Sequence, residues 1–453
     1  MDYLIGIEGL EEQLPIPPGT VLVIEGPPGS GKSFTALATA VKNVEQRKSR
    51  ALYISLAENK GKIIERAESI GIPLSNYVRE GLIKIVQLPV LSGEDLVDYI
   101  TDLIVEEGPG RWADIVIVDN VTAVLKTIKG YDRQRAWLQT VLYRFTTKEK
   151  GLLILIAESG APVTTEQNLL EYVADIVLEL GMRANPKCPL MVMDRYVLVK
   201  KHRFAPITDA PYLIEIKGGV RTLGHVSPAK AREIRSKRRA LPIRCTRLAE
   251  VIGDEIPPGT SILIINRRPG LIRTNHTLGL ISYLGSQAVS EGMSVAVLTL
   301  SSSYFNEMMR VAKKDFEEEV PMPMFVHLDP GKSHPKYFLN IEHSLVVDEG
   351  VDLIFTGHLE RILDVAGVGC LTPYLNLRYS LLSSLGVTSV TIYNLRNPAN
   401  YPYLLVMWSD IVIEIDVDEE GIYYDIKESL KPSTKIKRIH ERDIRDCVKA
   451  EFS

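Results

Sequence analysis

A chain of 453 residues is too long for one ordinary domain, and two or three are expected. Its apolar fraction of 45% is that of a globular protein, and a net charge of −4 creates no demand for a nucleic-acid or membrane partner. No apolar run is long enough to cross a bilayer, which excludes a helical membrane span.

Met1 to Gln13 carries acids where a signal peptide would carry basic residues, so a soluble, intracellular chain is expected. The four cysteines, Cys188, Cys245, Cys370 and Cys447, are far apart and form no Cys-x-x-Cys pair. Neither a zinc site nor a disulfide framework is therefore expected, and a reducing cytoplasm fits best.

The apolar run Val21 to Ile24 is followed by Gly26-Pro27-Pro28-Gly29-Ser30-Gly31-Lys32-Ser33 and then, from Phe34, by an alanine-rich segment with helical spacing. This is strand, phosphate loop, helix. A triphosphate can be wrapped by backbone N–H groups only where no side chains intervene and unusual dihedrals are allowed, and Gly26, Gly29 and Gly31 supply that freedom. Lys32 is placed to reach the β- and γ-phosphates, Ser33 to ligate Mg²⁺, and the helix N-terminus adds its positive end. Gly26 through Ser33, with Phe34 next to it, form the candidate nucleotide-binding set; the alternative is a chance glycine turn.

Strand-like runs and helical patterns then alternate. Ala51 to Leu56 is a strand, a helix runs through Ile63, Ile64 and Ala67 to Gly71-Ile72-Pro73, and Ile83 to Gln87 is the next strand. A helix from Glu94 to Glu106 leads to Ile115-Val116-Ile117-Val118, apolar throughout and expected to be buried on both faces. A helix around Arg135 to Lys150 and the strand Leu152 to Ala157 follow. This order gives an α/β fold with a doubly wound, mainly parallel sheet and ligands at the carboxyl ends of its strands.

That rule places two acids. Asp119 closes the Ile115 to Val118 strand, where it can hold Mg²⁺ beside the Ser33 hydroxyl as a Walker B acid; the alternative is an acid capping the next helix. Glu58 follows the Ala51 to Leu56 strand and is the candidate for polarising the attacking water, or else an ordinary solvated glutamate at a helix start.

Gly26 to Ser33, then Tyr53-Ile54-Ser55-Leu56-Ala57-Glu58, then Asp114 to Asp119 with Asn120-Val121-Thr122-Ala123-Val124, together resemble the RecA/RadA superfamily and most closely its KaiC-like branch. Ser69-Ile70-Gly71 and Glu80-Gly81 extend the likeness. The resemblance implies an ATPase that uses ATP and Mg²⁺. The family carries two neighbouring glutamates after its second strand; here Ala57 precedes Glu58, and slow hydrolysis is expected.

The resemblance continues to Val197-Leu198-Val199-Lys200-Lys201-His202-Arg203, where the family presents a Lys-x-Arg pair to the nucleotide of the next subunit. Lys201 and Arg203 match that pair and would act in trans on the transferring phosphate, as an arginine finger does. The alternative is a solvated basic strand edge. The resemblance thus implies a homo-oligomer, a ring for which a hexamer is one size, with the ATP site at the subunit interface.

Ser227 to Arg247 is rich in basic residues (Lys230, Arg232, Arg235, Lys237, Arg238, Arg239) and reads as a linker; nucleic-acid binding there is not favoured. Beyond it the chain repeats itself. Ile256-Pro257-Pro258-Gly259-Thr260 repeats Ile16-Pro17-Pro18-Gly19-Thr20, and in register Gly26 to Ser33 is matched by Arg267-Arg268-Pro269-Gly270-Leu271-Ile272-Arg273-Thr274. Leu271 and Ile272 put branched side chains where the loop needs bare backbone. Ser302 stands at the Glu58 position and Gly357 at the Asp119 position, while Ser409 to Ile413 repeats Ala174 to Leu178. Clock-type KaiC proteins carry two phosphate-accepting hydroxyls where Val406 and Met407 stand here, so a second autokinase cycle is not expected. Arg267, Arg268 and Arg273 are read as surface or interface charges rather than an anion site.

These features give residues 1–225 as an ATPase domain with both nucleotide motifs, 226–247 as a basic linker, 248–430 as a degenerate, catalytically inactive copy, and 431–453 as a charged tail that forms a solvated helix or docks on a neighbour. In the tail, Lys435, Lys437, Arg438, Arg442 and Arg445 alternate with Glu441, Asp443 and Asp446. The expected function is a slow Mg-ATPase with a regulatory second domain and an unidentified protein partner, in signalling or assembly. Its rivals are a scaffold that binds ATP without hydrolysing it and a RadA-like DNA-binding recombination ATPase.

Overall fold

The computed structural model of the protein describes residues 2–88, 93–143, 150–160, 165–188, 193–269, 271, 274–299, 323–327, 334–357, 359–397, 401–430 and 438–451. They form two compact units, Met1–Ala184 with Met193–Ser227, and Asn185–Val192 with Pro228–Ser453.

The first unit is built on strands β1 (Val21–Gly26), β2 (Ala51–Ser55), β3 (Ile83–Gln87), β4 (Ile115–Asp119), β5 (Leu152–Glu158), β6 (Ile176–Ala184), β7 (Met193–His202), β8 (Tyr212–Ile216) and β9 (Val220–Thr222). Their order across the sheet is β3-β2-β4-β5-β1-β6-β7-β8-β9. Strands β3 to β6 are parallel, as expected. The sheet then continues as an antiparallel extension, β6 to β9, in which only one strand was expected.

Side chains alternate between faces along a strand, so the sheet has a core on each side. Leu22, Ile24, Tyr53, Ile117 and Ile154 pack with Leu37 of helix α1 (Lys32–Arg47) on one face. Val23, Leu52, Ile54, Val116, Val118 and Leu155 pack on the other. All five residues of β2 are buried, which explains the apolar run from Ala51 to Ile54.

The helix expected over Arg135 to Lys150 is Tyr131–Tyr143, and residues 144–149 lie outside the described set. Helix Val121–Thr127 starts directly after β4, and its cap is Asn120 rather than Asp119, with Asn120 Oδ1 accepting the Ala123 N–H at 2.8 Å.

The second unit begins with helix Pro228–Ser236 and the short antiparallel pair β10 (Leu241–Pro242) and β11 (Glu255–Ile256), so the basic stretch is structured and groups with this unit. Arg238 donates to Asp352 and to the Gly350 carbonyl, and Arg235 to the Ser383 carbonyl; two of the basic side chains thus serve the fold. The main strands are β12 (Ser261–Asn266), β13 (Val295–Thr299), β14 (Met324–His327), β15 (Leu353–Thr356), β16 (Thr388–Asn394), β17 (Ile411–Asp418), β18 (Gly421–Glu428) and β19 (Arg438–His440). Their order is β14-β13-β15-β16-β12-β17-β18-β19, of which the seven from β14 to β18 retrace the first sheet from β3 to β7.

The retracing extends to hydrogen bonds. In the first unit the Val21 N–H donates to Asp175 Oδ2 at 3.0 Å and the Asp175 N–H to the Val21 carbonyl at 2.9 Å. In the second, the Ser261 N–H donates to Asp410 Oδ2 and the Asp410 N–H to the Ser261 carbonyl, both at 2.8 Å.

Two expectations are corrected. All four cysteines are paired, Cys188 with Cys370 and Cys245 with Cys447, across sequence separations of 182 and 202 residues. Spacing rules detect ligands or bridges that are local in sequence, and these are created only by the fold. The argument from cysteine usage for a reducing compartment therefore falls. The tail carries helix Glu441–Glu451, whose Ile444 is buried in the second unit's core and whose Cys447 bonds to Cys245, so it is docked by covalent and apolar contacts. Lys435 and Lys437 lie outside the described residues.

A buried ion pair braces the second unit. Arg378 Nε donates to Glu342 Oε1 and Oε2 at 2.9 and 2.7 Å, and its Nη2 to Thr356 Oγ1 of β15 at 3.1 Å.

Candidate functional site

Parallel register brings the carboxyl ends of four strands to one edge. Ser55 lies opposite Asp119, Asp119 opposite Ile156, and Gly26 opposite Glu158. The Leu56 N–H donates to the Asp119 carbonyl at 2.8 Å, and the Ser159 N–H to that of Gly26 at 3.2 Å. Position at this edge follows from strand length and pairing alone, and it is where an open α/β sheet binds its ligands.

Gly26 leads from β1 into the loop over Pro27, Pro28, Gly29, Ser30 and Gly31. A Cβ on Gly26 would stand 2.1 Å from the Leu180 carbonyl oxygen. Gly31 holds φ at +104° at the N-cap of α1, and a Cβ there would strike Ile216 Cδ1 at 2.3 Å. Ser30 is fully buried, and its Oγ has no hydrogen-bond partner among the described residues.

Lys32 folds back across the loop and donates to the Gly26 and Pro27 carbonyls at 2.7 and 2.9 Å. Burial pushes its ammonium below the ordinary lysine value, against the opposing charges of Asp119 and Glu158. A phosphate anion would supply the charge that two carbonyls supply only in part.

Ser33 Oγ, in the first turn of α1, donates to Asp119 Oδ2 at 2.7 Å. Tyr53 donates its hydroxyl to the same oxygen. Burial, and then the Asp119 charge, raise the Tyr53 phenol well above its usual value, so it stays a donor. Ser33 and Asp119 are hard oxygen ligands side by side, a donor set that fits Mg²⁺.

Glu58 follows a turn closed by Ser55, whose Oγ donates to the Glu58 carbonyl at 2.8 Å and accepts its N–H at 3.1 Å. Asn59 then caps helix Lys60–Ser69. The Glu58 carboxylate is paired with Arg66, and the Arg66 guanidinium lies 5.4 Å above the centre of the Phe34 ring. Phe34 therefore meets Arg66 from the helix that carries Ser33.

Lys201 and Arg203 are not brought to this site. The sheet register sets Lys201 opposite Val177, beside the start of β1, at the edge away from the phosphate loop. Lys201 Nζ donates to the Glu171 and Tyr172 carbonyls at 2.8 and 3.3 Å, and Arg203 Nη1 to Asp175 Oδ1 at 3.1 Å. Neither can serve the phosphate loop of its own domain.

Sequence reasoning missed three contributors. Tyr53 was hidden in an apolar run. Arg66 gave no local signal. Glu158 closes β5 as Asp119 closes β4, and the same rule would have found it; its Oε1 accepts from Asn120 Nδ2 at 3.3 Å, and its charge acts on Lys32.

At the corresponding edge of the second unit, Arg268 Nε pairs with Asp416 Oδ1 at 2.9 Å and Arg267 Nη1 with Glu414 Oε2 at 3.3 Å. The positions that match Gly26 and Pro27 of the first unit thus carry cations paired with acids of β17. Gly270, Ile272, Arg273 and Ser302 lie outside the described residues.

Comparison with known proteins agrees with this architecture. Residues 4–224 match the family described as "ATPase: KaiC". A stretch of 224 residues, 47% of the chain, is 26% identical to the circadian clock protein KaiC2 of Synechocystis sp., and the match spans 38% of that protein's length.

Proposed function

From a first domain that is a KaiC-like ATPase domain of the RecA superfamily, we propose that this chain binds Mg-ATP at the Gly26–Ser33 loop and hydrolyses it slowly as an oligomer. The observation that carries the reading is the 2.7 Å bond from Ser33 Oγ to Asp119 Oδ2, which joins the end of the phosphate loop to the acid closing β4. Ser33 and Asp119 would hold Mg²⁺, whose charge would neutralise the phosphate oxygens. Lys32 and the loop amides bind the phosphates, and Glu58 orients water once released from Arg66. Lys201 and Arg203 complete the site of an adjacent subunit, a role consistent with their lying away from their own loop. The second unit is a catalytically inactive regulatory copy, and the chain works with a protein partner.

Phosphate release from Mg-ATP, measured per subunit over a range of protein concentrations, tests this. A specific rate that rises and saturates, and is abolished in Lys32→Ala, is expected; full activity in that variant would refute the assignment. The Glu58–Arg66 pair also favours a second reading, in which ATP is bound as an assembly signal and scarcely hydrolysed. A rate near background at every concentration, with nucleotide binding retained, would select it. A DNA-binding ATPase is not favoured, because Arg235 and Arg238 are engaged within the second unit.

A further inference from the structure

Tyr53 is 1% exposed, and its ring lies in the core on the face of the sheet that packs against α1. Register places it opposite Ile117, two residues behind the Ser55–Asp119 pair and on the same face. Two residues of strand span roughly 6–7 Å, which is about the reach of a phenol lying along the strand. The hydroxyl therefore arrives at the carboxyl edge although the ring is entirely in the core. A phenylalanine would fill the same volume and leave the packing intact. What the hydroxyl adds is the bond to Asp119 Oδ2.

A carboxylate turns easily about its terminal torsion. Here two donors from different elements, Ser33 of α1 and Tyr53 of β2, converge on one oxygen of Asp119. Ser33 is itself a candidate metal ligand, so its bond to Asp119 is exposed to rearrangement when a cation arrives. The Tyr53 hydroxyl is carried by a ring fixed in the core.

We propose that Tyr53 is a positioning residue whose hydroxyl fixes the Asp119 carboxylate, so that Asp119 meets the divalent cation of the nucleotide already oriented. The inference rests on the Mg-ATP reading above. Partners that orient metal ligands from behind are worth about 10–100-fold in metal affinity.

The test is Tyr53→Phe, with binding of the fluorescent analogue mant-ATP followed as Mg²⁺ is titrated and, separately, in EDTA. Half-saturating Mg²⁺ is expected to rise by about 10-fold or more, while affinity in EDTA is unchanged. An unchanged Mg²⁺ requirement overturns the proposal. So does an equal loss of affinity with and without Mg²⁺, which would mark the hydroxyl as merely structural. In an Asp119→Asn background the same substitution should leave the residual Mg²⁺ requirement where it was; a full further shift would show that Tyr53 does not act through Asp119. If the parent chain binds no mant-ATP, the nucleotide reading fails and this inference with it; a parent that binds normally beside an unchanged Tyr53→Phe sinks the inference alone.

Discussion

The guanidinium of Arg66 pairs through Nη1 with Oε1 of Glu58 and at the same time lies over the ring of Phe34, one residue beyond the proposed metal ligand Ser33. Both partners are solvent-accessible, and such pairs contribute about 1 kcal/mol or less, so the pair is a weak latch rather than a structural brace. It holds the carboxylate proposed to orient water. Arg66→Ala should therefore raise the rate of phosphate release a few-fold, whereas Glu58→Gln should lower it by about 10²-fold. Parallel single-turnover assays check both; a fall in Arg66→Ala would show that Arg66 assists the chemistry instead of restraining it.

Lys201 and Arg203 sit at the sheet edge away from their own phosphate loop, engaged with the Glu171 and Tyr172 carbonyls and with Asp175. A role in hydrolysis requires a second subunit and a head-to-tail interface. Lys32→Ala and Arg203→Ala should each be nearly inactive alone, with roughly 10³-fold lost at the finger position. Mixed in equal amounts and reassembled, they should recover about a quarter of the parent rate, because random head-to-tail pairing joins an intact loop to an intact arginine at that frequency. A mixture as inactive as its components would place the active site within one subunit.

Much of the first domain was legible because its determinants are local. The glycines that free the loop, the apolar runs of β1, β4 and β5, and the acid closing β4 each declare their structure within a few residues. The repeat was legible through Ile256 to Thr260 and Asp410, and the bond from Ser261 N–H to Asp410 Oδ2 gives that aspartate a role in the fold that the positions matching Glu58 and Asp119 lack. It closes the start of the central strand, as Asp175 does. What escaped was produced by contacts distant in sequence. Tyr53 reads as one more apolar strand residue until the register with β4 places its hydroxyl at Asp119. Cys245 and Cys447 look isolated until the tail helix docks. The bounds of the helix at Val121 were not legible because its β-branched residues resemble strand, and the Asn120 cap overrides that preference.

The Cys245–Cys447 bond closes a sequence separation of 202 residues and ties the start of the second unit to the tail helix. In the loop-entropy account a closure of that length stabilises by about 5 kcal/mol. Cys245→Ser with Cys447→Ser should therefore lower the unfolding temperature of the second unit by several degrees. The first unit's transition should stay in place, because the second unit contains both cysteines. Calorimetry of the parent and the double variant reads this directly, and an unchanged second-unit transition would mean that apolar docking of Ile444 suffices.

Glu342 and Arg378 form an ion pair that is 0% and 3% exposed. Taking both charges out of water is costly, and burial opposes the charge on Arg378, yet the neighbouring Glu342 raises its affinity for the proton above the ordinary value. Arg378 is thus held charged by that attraction, and Thr356 Oγ1 donates to Glu342 Oε1 at 3.2 Å. Removing one partner strands the other, so Glu342→Leu alone should destabilise the second unit by about 3–5 kcal/mol. Replacing both, as Glu342→Leu with Arg378→Met, removes the stranded charge and should recover most of that loss, since well-packed apolar substitutes for buried pairs are often neutral or stabilising. Denaturant unfolding of the two single variants and the double variant checks this. A double variant as unstable as Glu342→Leu would mean that the bonds from Arg378 to the threonines of β15 and β16, and not charge compensation, are what the site requires.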